Sequence, residues 1–457
     1  VKYCDGTGRS KRVDQIDFFN HFDKTYRSYQ YMLLNAAPGL GKSFIARALN
    51  RHFKSSVIIT FSNQQVDQYC ETYPELVPIK GIEHYETEKE YDLAKRRVRD
   101  GAPAIFNPIS YYYYYINTPD LRPNFVIIDE AHNLASLLVS VIAQPFHCGY
   151  WGIPSGLGDV AFLSWLDERI IKLEKGRHIS TKFEKSYQRL NLLKQYLDKN
   201  IDKVKFSYEM RPNSRTRAKE QYFCVTPLTF PKDLLNIVFG EDTKILFMSG
   251  TFNQLHAKEL GIDNFDYKVY DHPAPRENRT IEWLPVKDRQ SWGEIAFNIR
   301  QIYEQNIGLN TLVHLPYNQQ VNPHINRFLG TFNPITHTKE TKQHAIDKFK
   351  RQGGILLASG MAEGIDLPGD QCRLIIIPKL LFPNLGDDGV KKRKLFPDGN
   401  SWYNNQTITT TIQQIYRGVR GKNDHCRIIV LDPLFRRLVK QTEKYLSPDF
   451  VKSIKWS

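Results

Sequence analysis

Tyr31-Met32-Leu33-Leu34-Asn35-Ala36-Ala37-Pro38-Gly39-Leu40-Gly41-Lys42-Ser43 reads as an apolar strand running into a glycine-bearing turn and then a helix, Phe44–Phe53. Glycine at 39 and 41 lets backbone N–H groups curl around a phosphate with no Cβ in the way. The backbone of Ala37, Pro38, Gly39, Leu40 and Gly41 would form the cradle, Lys42 would reach the β- and γ-phosphates, and Ser43 would ligate Mg²⁺. The first glycine of the GxxxxGK(S/T) pattern is Ala36 here. A plain glycine-rich turn fits the same letters, so the surroundings decide.

Those surroundings are Phe125-Val126-Ile127-Ile128-Asp129-Glu130-Ala131-His132, an apolar strand that ends in two adjacent carboxylates. Such a pair at the mouth of a sheet suits nucleotide hydrolysis, with Asp129 holding Mg²⁺ and Glu130 orienting the attacking water. An acidic pair that merely caps a helix is the structural alternative. Its place after a phosphate loop and a buried strand favours the functional reading.

Around these two stretches the chain alternates short branched-aliphatic strands with amphipathic helices, the rhythm of parallel sheets covered on both faces. The first run, about 28–135, has strand candidates Tyr31–Asn35, Ser56–Phe61, Ala104–Phe106 and Phe125–Asp129. The second, about 278–440, has Thr311–Leu315, Gly354–Ala358, Arg373–Pro378 and Arg427–Leu431. Between them, Phe162–Glu174 and Lys182–Val204 carry apolar residues at three-four spacing and predict two helices. A turn-prone Arg211–Lys219 then leads to strand-like Gln221–Val225 and Ile245–Met248, where the chain is expected to rejoin the first sheet.

The 457 residues carry 63 Lys plus Arg against 49 Asp plus Glu, a formal net charge of +14 that favours a polyanionic partner. A basic protein with no such partner fits the charge equally well. No apolar run reaches the roughly 18 residues of a bilayer span, and no membrane role is expected. Six scattered cysteines without a CxxC pair suggest reduced thiols in a cytoplasmic protein, bacterial or viral within a host, with a nuclear one also compatible.

Asp129-Glu130-Ala131-His132 resembles the DEAH box of superfamily 2 helicases, and further similarities follow in order. Ser249-Gly250-Thr251 resembles motif III, which couples the ATP site to nucleic acid. Glu363-Gly364-Ile365-Asp366-Leu367-Pro368-Gly369 resembles motif V of the XPD/DinG branch. Gln413 to Asp424 resembles its motif VI, QxxGRxxRxxxD, with Tyr416 in place of the glycine. Arg12-Val13-Asp14-Gln15 sits where the family has the adenine-reading RxxQ, and the segment from Thr60 resembles motif Ia. Lys80 to Tyr85 resembles the stretch before the family's cluster cysteines, and Lys379 opens the apolar run after motif V.

The resemblance implies an α/β fold with two RecA-like parallel-sheet motor domains and a helical, arch-like insertion in the first. Its boundaries would be 1–150 for motor domain 1, with a reduced cluster lobe near 80–103, and 151–220 for the insertion. The return to motor domain 1 would span 221–277, and motor domain 2 would span 278–457. It implies ATP bound with Mg²⁺, Arg420 as arginine finger beside Arg417, and Arg12, Gln15, His132, Glu363, Gly364, Asp366 and Gln413 around the nucleotide. Thr60, Lys80, Tyr85, Ser249, Gly250, Thr251 and Lys379 would contact or couple to the nucleic acid. Many relatives hold an iron–sulfur cluster on four cysteines between motifs Ia and II. This chain has only Cys70 there and Thr87 at the first cluster position, so no cluster is expected.

The implied activity is ATP-driven movement 5′ to 3′ on single-stranded DNA and unwinding of forked duplexes, in DNA repair or recombination, by a monomer with protein partners that set its pathway. Two other readings stay open. One is an RNA helicase or remodeller, because motor motifs largely read the backbone. The other is a nucleic-acid-binding subunit with weak catalysis, for which Tyr416 is the main clue. The tyrosine run Tyr111–Tyr115 fits a base-stacking platform or, more commonly, core packing.

Overall fold

Strands that are apolar along their whole length must be covered on both faces, and in the computed structural model they assemble into two parallel sheets. The structure describes residues 3–8, 10–116, 118–142, 145–154, 156–176, 181–212, 218–231, 233–316, 322–361 and 365–457. In chain order the strands are β1 Tyr31–Ala36, β2 Ser56–Ile59, β3 Val77–Ile79, β4 Ala104–Phe106, β5 Phe125–Asp129, β6 Phe146–His147, β7 Val204–Pro212 and β8 Lys219–Pro227. They continue with β9 Lys244–Ser249, β10 Asp266–Tyr270, β11 Ile281–Trp283, β12 Thr311–Leu315, β13 Ile355–Ser359, β14 Leu374–Ile377, β15 Arg427–Val430 and β16 Ile454–Trp456.

The first sheet has the order β10-β1-β9-β5-β2-β4-β3 and the second β13-β12-β14-β15-β11-β16. Both are parallel throughout, which gives two RecA-like α/β domains. Each sheet alternates its side chains between two cores. Val126 and Ile128 of β5 enter one core, while Phe125 and Ile127 enter the other. In the second sheet Ile375 and Ile377 face one core, and Leu374 and Ile376 face the opposite one.

The insertion contains the two expected helices, Asp159–Gly176 and Thr181–Asn200, but it is not purely helical. Antiparallel β6, β8 and β7 form a third sheet, with Val204 opposite Pro227 and Pro212 opposite Lys219. The strand-like 221–225 therefore pairs within the insertion, and the parallel sheet is rejoined only at β9. Sequence patterning could not show this, because a strand's hydrophobic alternation does not name its partner. The insertion has no separate core: Phe162, Leu190 and Leu193 join the cluster that covers β2 and β5.

The tyrosine run is core. It forms the helix Pro108–Tyr115, whose N-terminus is capped by Asn107 accepting from the Ser110 N–H at 2.8 Å. Tyr111, Tyr112 and Tyr115 are buried, so they are unavailable to stack on bases. No helix among the described residues is long and apolar enough to cross a membrane.

Candidate active site between the two α/β domains

Three neighbouring strands carry the site because their C-terminal ends lie side by side. β9 runs between β1 and β5, with Asn35 opposite Ser249 and Asp129 opposite Met248. The loop after β1, the acidic turn after β5 and the Ser249–Thr251 turn thus meet at one edge. That edge, where a parallel sheet opens, is where such folds bind ligands.

The loop after β1 needs its glycines for two different reasons. Gly39 has φ +88° and Gly41 φ +78°, which side chains strain to adopt. A Cβ on Gly39 would also lie 1.7 Å from the Arg420 carbonyl oxygen, so the second domain rests directly on this turn. Ala36, in contrast, still belongs to β1 and is absent from the positive-φ residues, so its departure from glycine is tolerated locally. Lys42 opens the helix Lys42–His52, donates to the Ala36 carbonyl at 3.3 Å and lies 3.7 Å from Glu130 Oε1. Ser43 follows it, exposed.

Asp129 ends β5 and is buried. Tyr69 donates its hydroxyl to Oδ2 at 2.8 Å, and the Glu130 N–H donates to Oδ1 at 3.0 Å. Burial pushes the Asp129 carboxyl above its ordinary range, with Glu130 adding to the effect and Lys42 opposing it. Glu130 itself has φ +55°, the left-handed region that non-glycine residues seldom occupy, as the chain turns sharply out of β5. His132 then bridges the domains. Its Nδ1 lies 2.8 Å from Ser249 Oγ, and its Nε2 contacts the Gln413 amide nitrogen of the second domain. The two ring nitrogens thus reach one group in each domain, and Glu130 Oε2 lies 3.5 Å from Nδ1. Ser249 Oγ also accepts the Thr251 N–H at 3.1 Å, and Gly250 packs on Pro38.

The second domain closes the site with residues following β13 and the helix Gly399–Ile415. Arg417 Nη1 donates to the Ile365 carbonyl at 3.0 Å, and Arg420 Nε lies 2.6 Å from Asp366 Oδ1. Asp424 accepts the N–H groups of Gly369 and Arg420 and pairs with Arg373, locking this loop to the preceding one. Tyr416 fits without disturbing its neighbours. It has φ −90°, so glycine is unnecessary there, and its buried ring stacks on His272 at 4.9 Å. Burial, followed by the charge of Arg279, lowers His272 to about 4, and the ring meets the Val419 carbonyl.

A cleft of about 890 Å³ runs between the domains, lined by Gly39, Lys42, Glu130 and Thr251 from the first and Asp366, Gln413, Arg417 and Arg420 from the second. Arg12 and Gln15 lie beside the loop instead. Arg12 contacts the Gly39 carbonyl, and the Gln15 amide donates to the Leu40 carbonyl at 3.0 Å while accepting the Arg12 N–H. Glu363 and Gly364 lie outside the described residues.

The expected strand-contact residues do not converge. Thr60 is fully buried and donates to Gln65 at 2.9 Å, which leaves Ser62, Gln64, Asp67 and Gln68 as the exposed side chains of that segment. Lys80 is ion-paired with Asp67, Tyr85 donates to the Pro78 carbonyl at 2.6 Å, and Lys379 lies 4.2 Å over the Trp292 ring. Sequence reasoning also missed Tyr69 and a buried network in which Asn253 donates to Asn405 at 2.8 Å with His256 alongside. These partners are 60 and 152 residues apart, and no spacing signal links them.

Residues 305–452 match the helicase C-terminal domain family. Xpd4 of S. tokodaii superposes with a TM-score of 0.62 at 18% identity, covering 98% of this chain and 100% of that one. An XPD structure in its apo form gives 0.60 at 15%, covering 96% and 100%. Residues 305–452 thus belong to the helicase C-terminal domain family, and the whole chain shares the fold of these XPD structures. A curated relative described as "Probable ATP-dependent helicase", from Methanocaldococcus jannaschii, is 23% identical over 42% of this chain. The match covers about a third of that relative's length, 34%.

Proposed function

We propose that this XPD/DinG-like chain is an ATP-hydrolysing helicase or translocase that works on single-stranded nucleic acid. The observation that carries the reading is the shared cleft: Lys42 and Glu130 face it from the first domain, and Arg417 and Arg420 from the second. In the proposed cycle Lys42 binds the β- and γ-phosphates, and Glu130 orients and polarises the attacking water. Arg420, with Arg417 beside it, leaves its partner Asp366 to neutralise charge on the transferring phosphoryl group. The helix bearing Gln413 then follows the nucleotide state, and His132 passes that state to Ser249 and Thr251.

Asp129 and Ser43 are oxygen donors of the hard kind that suits Mg²⁺, and the buried, electrostatically strained Asp129 carboxylate gains from a cation beside it. Mg²⁺, when bound, would neutralise phosphate charge. The chain works, in this reading, without an iron–sulfur cluster: Thr87, at the first cluster position, caps the helix Glu88–Arg99 by accepting the Glu90 N–H. Forked or single-stranded DNA is the proposed substrate, with 5′ to 3′ movement by a monomer. Tyr416 leaves Gln413, Arg417 and Arg420 in the cleft, which favours an active enzyme over a binding subunit.

The test is steady-state ATP hydrolysis with matched single-stranded DNA and RNA, for wild type and Lys42→Ala. DNA stimulation that Lys42→Ala abolishes is the expected result. Stimulation by RNA alone would move the proposal to an RNA remodeller, and a folded protein with no turnover on either would overturn it.

A further inference from the structure

We infer that Tyr69 is a positioning residue for Asp129 and joins the helix Asn63–Thr72 to the metal-binding corner of the cleft. The inference rests on the nucleotide reading of that cleft. Tyr69 and Asp129 are both more than nine-tenths buried, and the phenol reaches Oδ2 from one side while the Glu130 N–H reaches Oδ1 from the other. Two donors on different oxygens fix the plane of the carboxylate, and each oxygen keeps lone-pair capacity for a cation. An aliphatic side chain would fill the same space but leave the Oδ2 side unheld. The ring is itself held on a regular helix, with Val66 buried one turn earlier and Tyr73 one turn later at 6.3 Å.

The same helix turns Gln64, Gln65 and Gln68 toward the cleft. A displacement of this helix therefore moves Tyr69 and, through it, Asp129. Groups that orient a metal ligand typically change metal affinity by about 10- to 100-fold when removed.

Mg²⁺-dependent binding of a non-hydrolysable ATP analogue, measured by calorimetry at stepped Mg²⁺ concentrations, tests this without relying on turnover. Tyr69→Phe keeps the ring and removes the hydroxyl. Tyr73→Phe is the control, since it removes a neighbouring buried hydroxyl that reaches Asp5 at 3.1 Å instead. Tyr69→Phe should raise the half-saturating Mg²⁺ concentration by about tenfold, with analogue binding in EDTA unchanged and Tyr73→Phe like wild type. An unchanged Mg²⁺ requirement in Tyr69→Phe, or an equal rise in both variants, would overturn the inference while leaving the nucleotide site intact. Wild type that binds no analogue at any Mg²⁺ concentration would overturn the reading of the cleft and the inference with it.

Discussion

His132 has two hydrogen-bonding atoms and uses each on a different domain, Ser249 on its own side and Gln413 across the cleft. Two nitrogens on opposite sides of one rigid ring let a single side chain hold both contacts at once. His132→Ala or Gln413→Ala should therefore lower nucleic-acid-stimulated hydrolysis by roughly three- to thirtyfold while ATP binding changes little. A double-mutant cycle on the stimulated rate should show the two effects to be non-additive, whereas additive losses would mean that the contact does not couple the domains. Gly39 makes the complementary case through its backbone. Gly39→Ala forces an L-residue to φ +88° and drives its Cβ against the Arg420 carbonyl, so cleft closure should suffer beyond the roughly 1–2 kcal/mol backbone cost. Thermal unfolding reports the backbone cost, and loss of ATP-dependent protection of Arg420 from hydrogen exchange reports the closure defect.

Among the elements, the strands that sequence patterning recovered best were the buried central ones. β1, β5, β12 and β15 are continuous, branched-aliphatic and covered on both faces, and that signal depends only on local residues. Two edge strands, β10 and β16, were hidden. β10 has no fully buried residue, and β16 buries only Ile454, so both lack an apolar run even though each pairs in a parallel sheet. β7 was not read as a strand, and the strand-like 221–225 within β8 was placed in the wrong sheet, since hydrophobic alternation does not identify a partner strand. That Lys42, Arg417 and Arg420 would gather at one cleft was legible because loop chemistry demands particular residue types at fixed spacing. Tyr69 was not, because its role exists only when a helix packs beside β5. The helix Glu88–Arg99 has no fully buried residue: Thr87 caps its N-terminus, while Tyr91, Ala94 and Val98 pack partly buried against the core. Thr87→Ala should destabilise it by about 1 kcal/mol, seen as faster amide exchange over 88–99 with the global unfolding transition unmoved.

Across the whole molecule, buried ionisable groups set how stability responds to acid. Burial lowers His256 to about 3, His272 to about 4 and His314 to about 3, with Arg279 adding to the effect on His272 and Arg417 on His314. Below the ordinary histidine value the unfolded chain takes up protons that the folded chain refuses, so their contribution is full above about pH 6.5 and falls as the pH drops toward 4. Glu259 acts oppositely: burial raises it to about 7, so the folded form gains protons between about 4.5 and 7 and is stabilised as the pH falls there. Three histidines outweigh one carboxyl, and the melting temperature should drop between pH 7 and 5, with His314→Gln flattening the slope. A melting temperature that rises over that range would contradict the assignment of neutral buried rings. The larger claim is that two domains share one catalytic cleft, and Arg420 tests it most directly because its proposed role is to act on a nucleotide held by the other domain. The decisive measurement is the turnover number of Arg420→Ala at saturating ATP and single-stranded nucleic acid, alongside its ATP affinity. A fall of roughly a thousandfold or more with ATP still bound is the predicted result; turnover within about twofold of wild type would contradict the shared cleft.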